Sequence, residues 1–159
     1  MLRRLRAKKV DEETQSNIKI LQTLKSDIRE VRGCYAELAK CKIANNVKEI
    51  CKTSDLIRKE VSLNQSKLPK VNLFVQYYIP VLLKMLRQYI DIKKNKLTNE
   101  ESIKNKAAIE DMLPKIQCAF TELLNQLFSD ENRDVDLEIQ VINDELKQRG
   151  LLNDGDEPV

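Results

Sequence analysis

The sequence predicts an all-α fold, an antiparallel bundle of four to five long helices. Apolar residues recur at alternating steps of three and four along most of the chain, which is the period of an amphipathic helix. No β-strand is predicted, because the helical period extends over nearly the whole chain. Only three glycines and four prolines interrupt 159 residues, so the chain lacks the frequent turns of a β-sandwich.

The first helix is predicted from about residue 12 to residue 42, with Gly33 inside it at a cost of about 1 kcal/mol relative to Ala. A second seam follows with its phase shifted by one residue. Asn45 and Asn46 lie at the shift and predict a tight turn between antiparallel helices; one long helix with a stutter is the alternative. The two predicted seams are Leu21, Leu24, Ile28, Val31, Tyr35, Leu38 and Ile43, Val47, Ile50, Ser54, Ile57, Val61.

The second helix is predicted to end before Pro69, near residue 65, and the third to begin near Val71. Pro80 lies inside the third helix and is predicted to kink it, because a proline removes a backbone donor while the apolar stripe continues past it. The predicted stripe is Phe74, Tyr78, Leu82, Met85, Tyr89 and Ile92.

The fourth helix is predicted to begin at Thr98, which with Glu101 three residues later forms a capping-box pattern. Pro114 is predicted to kink this helix. The fifth helix is predicted from Asp134 or Val135 to Gly150, a typical residue for a helix C-terminus. The predicted stripes are Ile109, Met112, Ile116, Phe120, Leu123, Leu127 in the fourth helix and Leu137, Val141, Ile142, Glu145, Leu146 in the fifth.

Three segments are predicted: a basic N-terminal arm over residues 1–10, a single helical domain over 11–152, and an acidic flexible tail over 153–159. The arm could lie on an anionic membrane surface, where each basic side chain contributes about 1 kcal/mol, or could be a disordered, soluble arm. Aromatic residues make up only 4% of the chain, so nucleic-acid binding is not expected. The basic residues of the arm are Arg3, Arg4, Arg6, Lys8 and Lys9.

The sequence shows neither a signal peptide nor an apolar run approaching the roughly 20 residues that span a bilayer. The four cysteines lack metal-site spacing and are expected to be reduced. Together these features predict a cytoplasmic protein, with a position at the inner face of the cell membrane as the more specific expectation.

The sequence contains no histidine and no glycine-rich phosphate loop, so no catalytic residue and no cofactor is predicted. Four oxygen-bearing side chains at alternate positions resemble the start of a calcium loop: Asp130, Asn132, Asp134 and Asp136. Val135 and Val141 stand where that loop requires Gly and Glu, so caps and turns are the preferred interpretation. Tyr77, Lys84 and Arg87 are predicted to lie off the core stripe as a partner or anion surface, with a solvated helix face as the alternative.

The segment Tyr77-Tyr78-Ile79-Pro80, followed by Leu82, Lys84 and Tyr89, resembles the pattern of the bacterial bromo-chloro-indolyl-phosphate hydrolysis (XpaC-like) family. The resemblance extends over residues 12–152. It implies a soluble helical domain of the kind attached to an N-terminal membrane segment, often near genes for tellurite or toxic-anion resistance. The family name implies phosphate monoester hydrolysis, but the family supplies no catalytic motif to place on this sequence. No membrane segment is visible here, which implies either a soluble member or a chain that starts just inside the membrane.

The resulting functional prediction is a non-enzymatic interaction or scaffold module with a protein partner, linked through the resemblance to toxic-anion resistance or envelope stress. The alternative is a metal-dependent phosphate monoester hydrolase. Oligomerisation remains open, because a heptad face wider than the intramolecular core requires can pair with a second chain.

Overall fold

The computed structural model describes residues 1–152, and those residues form helices and short turns without any strand. The all-α prediction is therefore confirmed. The chain separates into two compact units, Met1–Leu124 and a second that begins at Asn125, where the sequence predicted one domain over residues 11–152. The elements are α1 (Leu2–Leu38), α2 (Ala44–Leu63), a 3₁₀ segment (Gln65–Val71), a π-helical segment (Phe74–Tyr78), α3 (Ile79–Lys94), α4 (Glu100–Leu127) and α5 (Ser129–Gln148).

The basic residues predicted as an arm form the first turns of α1, which begins at Leu2. Leu, Arg, Ala and Lys dominate this stretch and all favour helix. Every residue from 1 to 16 is exposed, and the first fully buried side chain is Leu24. At 1.5 Å per residue, the exposed start of α1 is about 22 Å long. The acidic tail predicted over residues 153–159 lies outside the described residues.

The predicted α1–α2 hairpin is confirmed, but its turn lies at residues 39–43, before the predicted asparagine pair. Asn45 and Asn46 belong to the first turn of α2, where the side chain of Asn46 donates a hydrogen bond to Gln117 of α4 at 2.9 Å. Arg32 of α1 pairs with Asp55 of α2 at 3.1 Å. The interior of the hairpin is the predicted seam: Leu24, Ile28, Val31, Leu38, Ile43, Val47, Ile50, Ile57 and Val61 are all buried.

The stripe predicted for the third helix is wrong at two positions. Tyr78 is exposed and Met85 is half-buried, whereas Ile79 and Leu86 are fully buried. Leu82, Tyr89 and Ile92 are buried as predicted. In the π-helical segment the backbone N–H of Ile79 donates to the carbonyl of Phe74, five residues earlier. This wider turn aligns residues five apart and so places Ile79 in the stripe instead of Tyr78. Pro80 follows directly, in the first turn of α3, so the irregularity lies where the proline predicted a kink.

The fourth helix begins at Glu100, and its N-terminal cap is Asn99 instead of the predicted Thr98. The Asn99 side-chain oxygen accepts a hydrogen bond from the Ser102 backbone N–H at 2.9 Å, which satisfies a free donor of the first turn. Pro114 lies inside α4, and the kink predicted there stays a prediction. Leu113 is fully buried in place of Met112, which is exposed.

A buried tyrosine links three parts of the first unit. Tyr89 of α3 is fully buried, and its hydroxyl donates to Glu110 of α4 at 3.1 Å. The other Glu110 oxygen accepts from Lys42, in the turn between α1 and α2, at 3.2 Å. Burial alone would raise the pKa of Glu110, but the hydrogen bonds from Lys42 and Tyr89 and the charges of Lys42 and Lys106 outweigh burial and lower it. Burial and the Glu110 carboxylate raise the pKa of Tyr89.

Candidate interaction surface

The fifth helix belongs to the second unit and has defined ends. Asp130 and Glu131 lie in its first turn, where carboxylates interact favourably with the helix dipole. Beyond its last turn, Gly150 adopts a left-handed backbone with φ of 70°. The N–H of Gly150 donates to Lys147 O at 3.0 Å, and that of Leu151 donates to Leu146 O at 3.0 Å. This pair of bonds is a Schellman motif, which confirms the predicted stop at Gly150.

An apolar seam runs along α5 on the side of Val135, Ile139, Ile142 and Leu146. Their spacing of four, three and four residues places them on one face of the helix. Val135 is 53% exposed, Ile139 47% and Ile142 56%, while Leu146 is half-buried. No residue of α5 is buried. A continuous exposed apolar face of this kind marks an interaction surface more often than scattered apolar residues do. These four side chains are called the α5 seam below.

Acidic side chains flank the α5 seam. Glu131, Glu138 and Glu145 follow one another at seven-residue intervals and lie along one side of it, and Asp136 lies along the other. Glu145 pairs with Arg149 on the next turn at 2.8 Å. Across the whole of α5, seven carboxylates stand against two basic side chains. Acidic side chains therefore outnumber basic ones along α5.

The oxygen-bearing residues that resembled a calcium loop lie within α5. In a helix, residues two apart point in widely different directions, so Asp130, Asn132, Asp134 and Asp136 do not converge. Asp130 instead pairs with Arg133. Among residues 1–152, no three Cys, Asp or Glu side chains are grouped so as to hold a metal ion. The predicted start of the fifth helix, at Asp134 or Val135, is therefore too late, because Ser129 and Asp130 are also good turn formers.

Helix α3 has a shallow groove on each side. The groove between α1 and α3, about 420 Å³, is lined by Cys34 and by the exposed ion pair of Arg87 and Glu30. The groove between α3 and α4, about 390 Å³, is more apolar and is lined by Met85 and Met112 among others. Burial raises the pKa of the Cys34 thiol, which lowers its nucleophilicity at neutral pH.

The comparison with protein families provides the identity of the chain. The model of a family described as 5-bromo-4-chloroindolyl phosphate hydrolysis protein matches residues 3–142. The chain belongs to this family. No curated protein and no solved structure matches the chain. The match extends through the first unit and into α5 as far as Ile142.

In this member of the indolyl phosphate hydrolysis family, the Tyr-Tyr-x-Pro segment forms the junction between the π-helical turn and α3. Tyr77 and Tyr78 are both exposed. Their rings pack edge to face, with 5.7 Å between the ring centroids. Lys84 and Arg87, which the sequence analysis grouped with Tyr77, lie in different grooves. Lys84 lines the α3–α4 groove, whereas Arg87 lines the α1–α3 groove. A shared surface of Tyr77, Lys84 and Arg87 stays a prediction.

The described residues include no helix whose length and hydropathy suit it to span a membrane. The five basic residues predicted to contact a membrane surface, Arg3, Arg4, Arg6, Lys8 and Lys9, are all exposed in the first turns of α1. Helix formation spreads them around the helix axis instead of confining them to one face, because successive residues are rotated by about 100°.

Proposed function

We propose that this protein is a non-catalytic helical interaction module that docks a protein partner on the α5 seam. The observation that carries the proposal is the exposure of Val135, Ile139 and Ile142, each about half exposed on a single helix face. Aliphatic side chains at i, i+4, i+7 and i+11 are the anchors of helix-to-helix recognition. In the first unit, by contrast, the apolar seams of α1 and α2 are buried where the helices pack.

The proposal includes a place for the module at the inner face of the membrane, on the cytoplasmic side. The basic first turns of α1 support it, since exposed Arg and Lys side chains near anionic headgroups each contribute about 1 kcal/mol. Co-sedimentation with anionic vesicles and with neutral vesicles separates this contribution from apolar binding. Replacing Arg3, Arg4 and Arg6 by Ala is expected to reduce the preference for anionic vesicles strongly; an unchanged preference contradicts this placement.

Photo-crosslinking in cells tests the module itself. A photoreactive amino acid at Ile142, on the seam, is compared with one at Asp144, which is exposed on the same helix but off the seam. Ile142 is expected to yield a discrete adduct with a protein, and Asp144 is not. The absence of adducts from every seam position overturns the proposal. So does turnover of an indolyl phosphate at an enzyme-like rate that a single substitution abolishes.

The family description favours a second candidate, a phosphate monoester hydrolase. Phosphoryl transfer of this type uses a divalent metal to neutralise developing charge, and the carboxylates of Asp134 and Asp136 are the nearest to a ligand set in the sequence. The test is hydrolysis of the indolyl phosphate with and without divalent metal, on protein free of host phosphatases. If Asp134→Asn with Asp136→Asn leaves both turnover and metal binding unchanged, this version of the hydrolase is wrong.

A further inference from the structure

We infer that the partner of the α5 seam is an amphipathic helix whose own apolar seam is flanked by Lys or Arg. The inference rests on the proposed function, because it names the chemistry of the partner that the module docks. The inference is argued from an exposed aliphatic seam that has a row of glutamates at heptad spacing along its edge.

The apolar part of the interface defines the partner's shape. Val135, Ile139, Ile142 and Leu146 form three turns of a heptad seam, and such a seam packs against a helix with matching knobs and holes. The side chains are β-branched or aliphatic, without an aromatic residue among them. A helix is favoured over an extended strand, because a helix on its own offers no free backbone edge for a strand to pair with.

The charges decide between a second copy and a different partner. In a parallel pair of α5 helices, Glu131 of one copy faces Asp136 of the other, and in an antiparallel pair the glutamates face one another. Both arrangements place like charges together at the edge of the seam, which is destabilising. A partner with Lys or Arg at the flanking positions replaces each of these repulsions with an attraction. Self-pairing through α5 is therefore disfavoured, and a basic helix is selected.

The experiment uses two synthetic peptides of about four heptads with the same Ile and Leu seam, one flanked by Lys and one by Glu. Binding to the full chain is measured by fluorescence anisotropy at low and high salt. The Lys-flanked peptide is expected to bind at one to one and at least about tenfold more tightly than the Glu-flanked peptide. Added salt is expected to reduce the preference, because it screens exposed charges.

Three double substitutions distinguish the contribution of the apolar seam from that of the flanking charges. Ile139→Ser with Ile142→Ser is expected to abolish binding, while Leu137→Ser with Val141→Ser, exposed on the opposite side of α5, is expected to preserve it. Glu138→Lys with Glu145→Lys is expected to reverse the preference in favour of the Glu-flanked peptide. Circular dichroism of each variant establishes that α5 remains helical.

Three outcomes overturn the inference. Equal binding of both peptides would show that the flanking charges do not select the partner. Binding of neither peptide would show that the partner is not a helix of this kind. A dimer in analytical ultracentrifugation that Ile139→Ser with Ile142→Ser dissolves shows that a second copy covers the seam. If the Ile142 crosslink to a protein is still found in cells, the proposed function stands while the basic helix is wrong.

Discussion

Gly33 lies in the middle of α1 on an exposed face, with no atom within 4 Å of the position a Cβ would occupy. Glycine is costly in a helix because the unfolded chain has more freedom to lose there. Gly33→Ala is therefore expected to raise the free energy of unfolding by about 1 kcal/mol. Urea unfolding followed by circular dichroism measures the change.

A control for this substitution lies one turn away. Ala36 is also exposed in α1, and Ala36→Gly is expected to lower the free energy of unfolding by about the same 1 kcal/mol. A destabilising effect of Gly33→Ala would show that the glycine serves a close contact along the α1–α3 groove, which it lines.

Glu110 gives the fold a specific sensitivity to acid. Its pKa is lowered in the folded state, so its contribution to stability is complete above the unfolded pKa of about 4.3 and is lost as the pH falls through the folded value. Glu110→Gln is expected to cost about 1 kcal/mol at neutral pH and to reduce the loss of stability on acidification. Urea unfolding at a series of pH values from neutral into the acid range measures both effects.

Asp111→Asn is the control, because Asp111 is exposed on the same helix. It is expected to change stability by less than about 0.5 kcal/mol. If Glu110→Gln behaves like Asp111→Asn at every pH, the link from Tyr89 through Glu110 to Lys42 adds nothing to the fold. Some acid dependence remains in either variant, because Asp55 also has a lowered pKa: burial alone would raise it, but the hydrogen bonds and charges of Arg58 and Arg32 outweigh burial.

At the scale of the element, the start of α4 distinguishes two neighbouring cap candidates. Asn99 makes the side-chain bond to Ser102, so Asn99→Ala is expected to cost about 1 kcal/mol. Thr98→Ala is expected to have little effect, although the capping-box pattern points to Thr98. Equilibrium unfolding of both variants decides the matter, and a larger loss for Thr98→Ala would contradict the observed cap.

The elements also show what the sequence could and could not predict. Most positions of the α1 and α2 seams were predicted correctly, because both helices keep a regular 3.5-residue period, but Leu21 and Tyr35 are only half-buried. The stripe of α3 was wrong at Tyr78, because the periodicity does not show the local change of helix type that places Ile79 in the core instead. The start of α5 was missed because Ser129 and Asp130 suit a turn and a first helical turn equally well.

At the scale of the whole molecule, the exposure of the apolar face of α5 could not be predicted from the sequence. An amphipathic pattern predicts a helix with an apolar face. The same pattern is found whether that face packs on the chain's own core or is exposed. Leu113 and Ile142 illustrate this, since both are aliphatic residues within a helical stripe. Leu113 is fully buried and Ile142 is 56% exposed. The structure shows that the first is buried and the second exposed, a difference that the periodicity alone does not predict.

The same contrast gives the most direct measurement of the central claim, that the α5 seam is an interface and not a core. Urea unfolding is compared for Ile142→Ala and Leu113→Ala. Leu113→Ala is expected to cost about 2–5 kcal/mol, as buried truncations do, and Ile142→Ala less than about 0.5 kcal/mol. A loss for Ile142→Ala as large as that for Leu113→Ala would show that the seam is packed within the folded chain, and the account of α5 as a docking surface would be wrong.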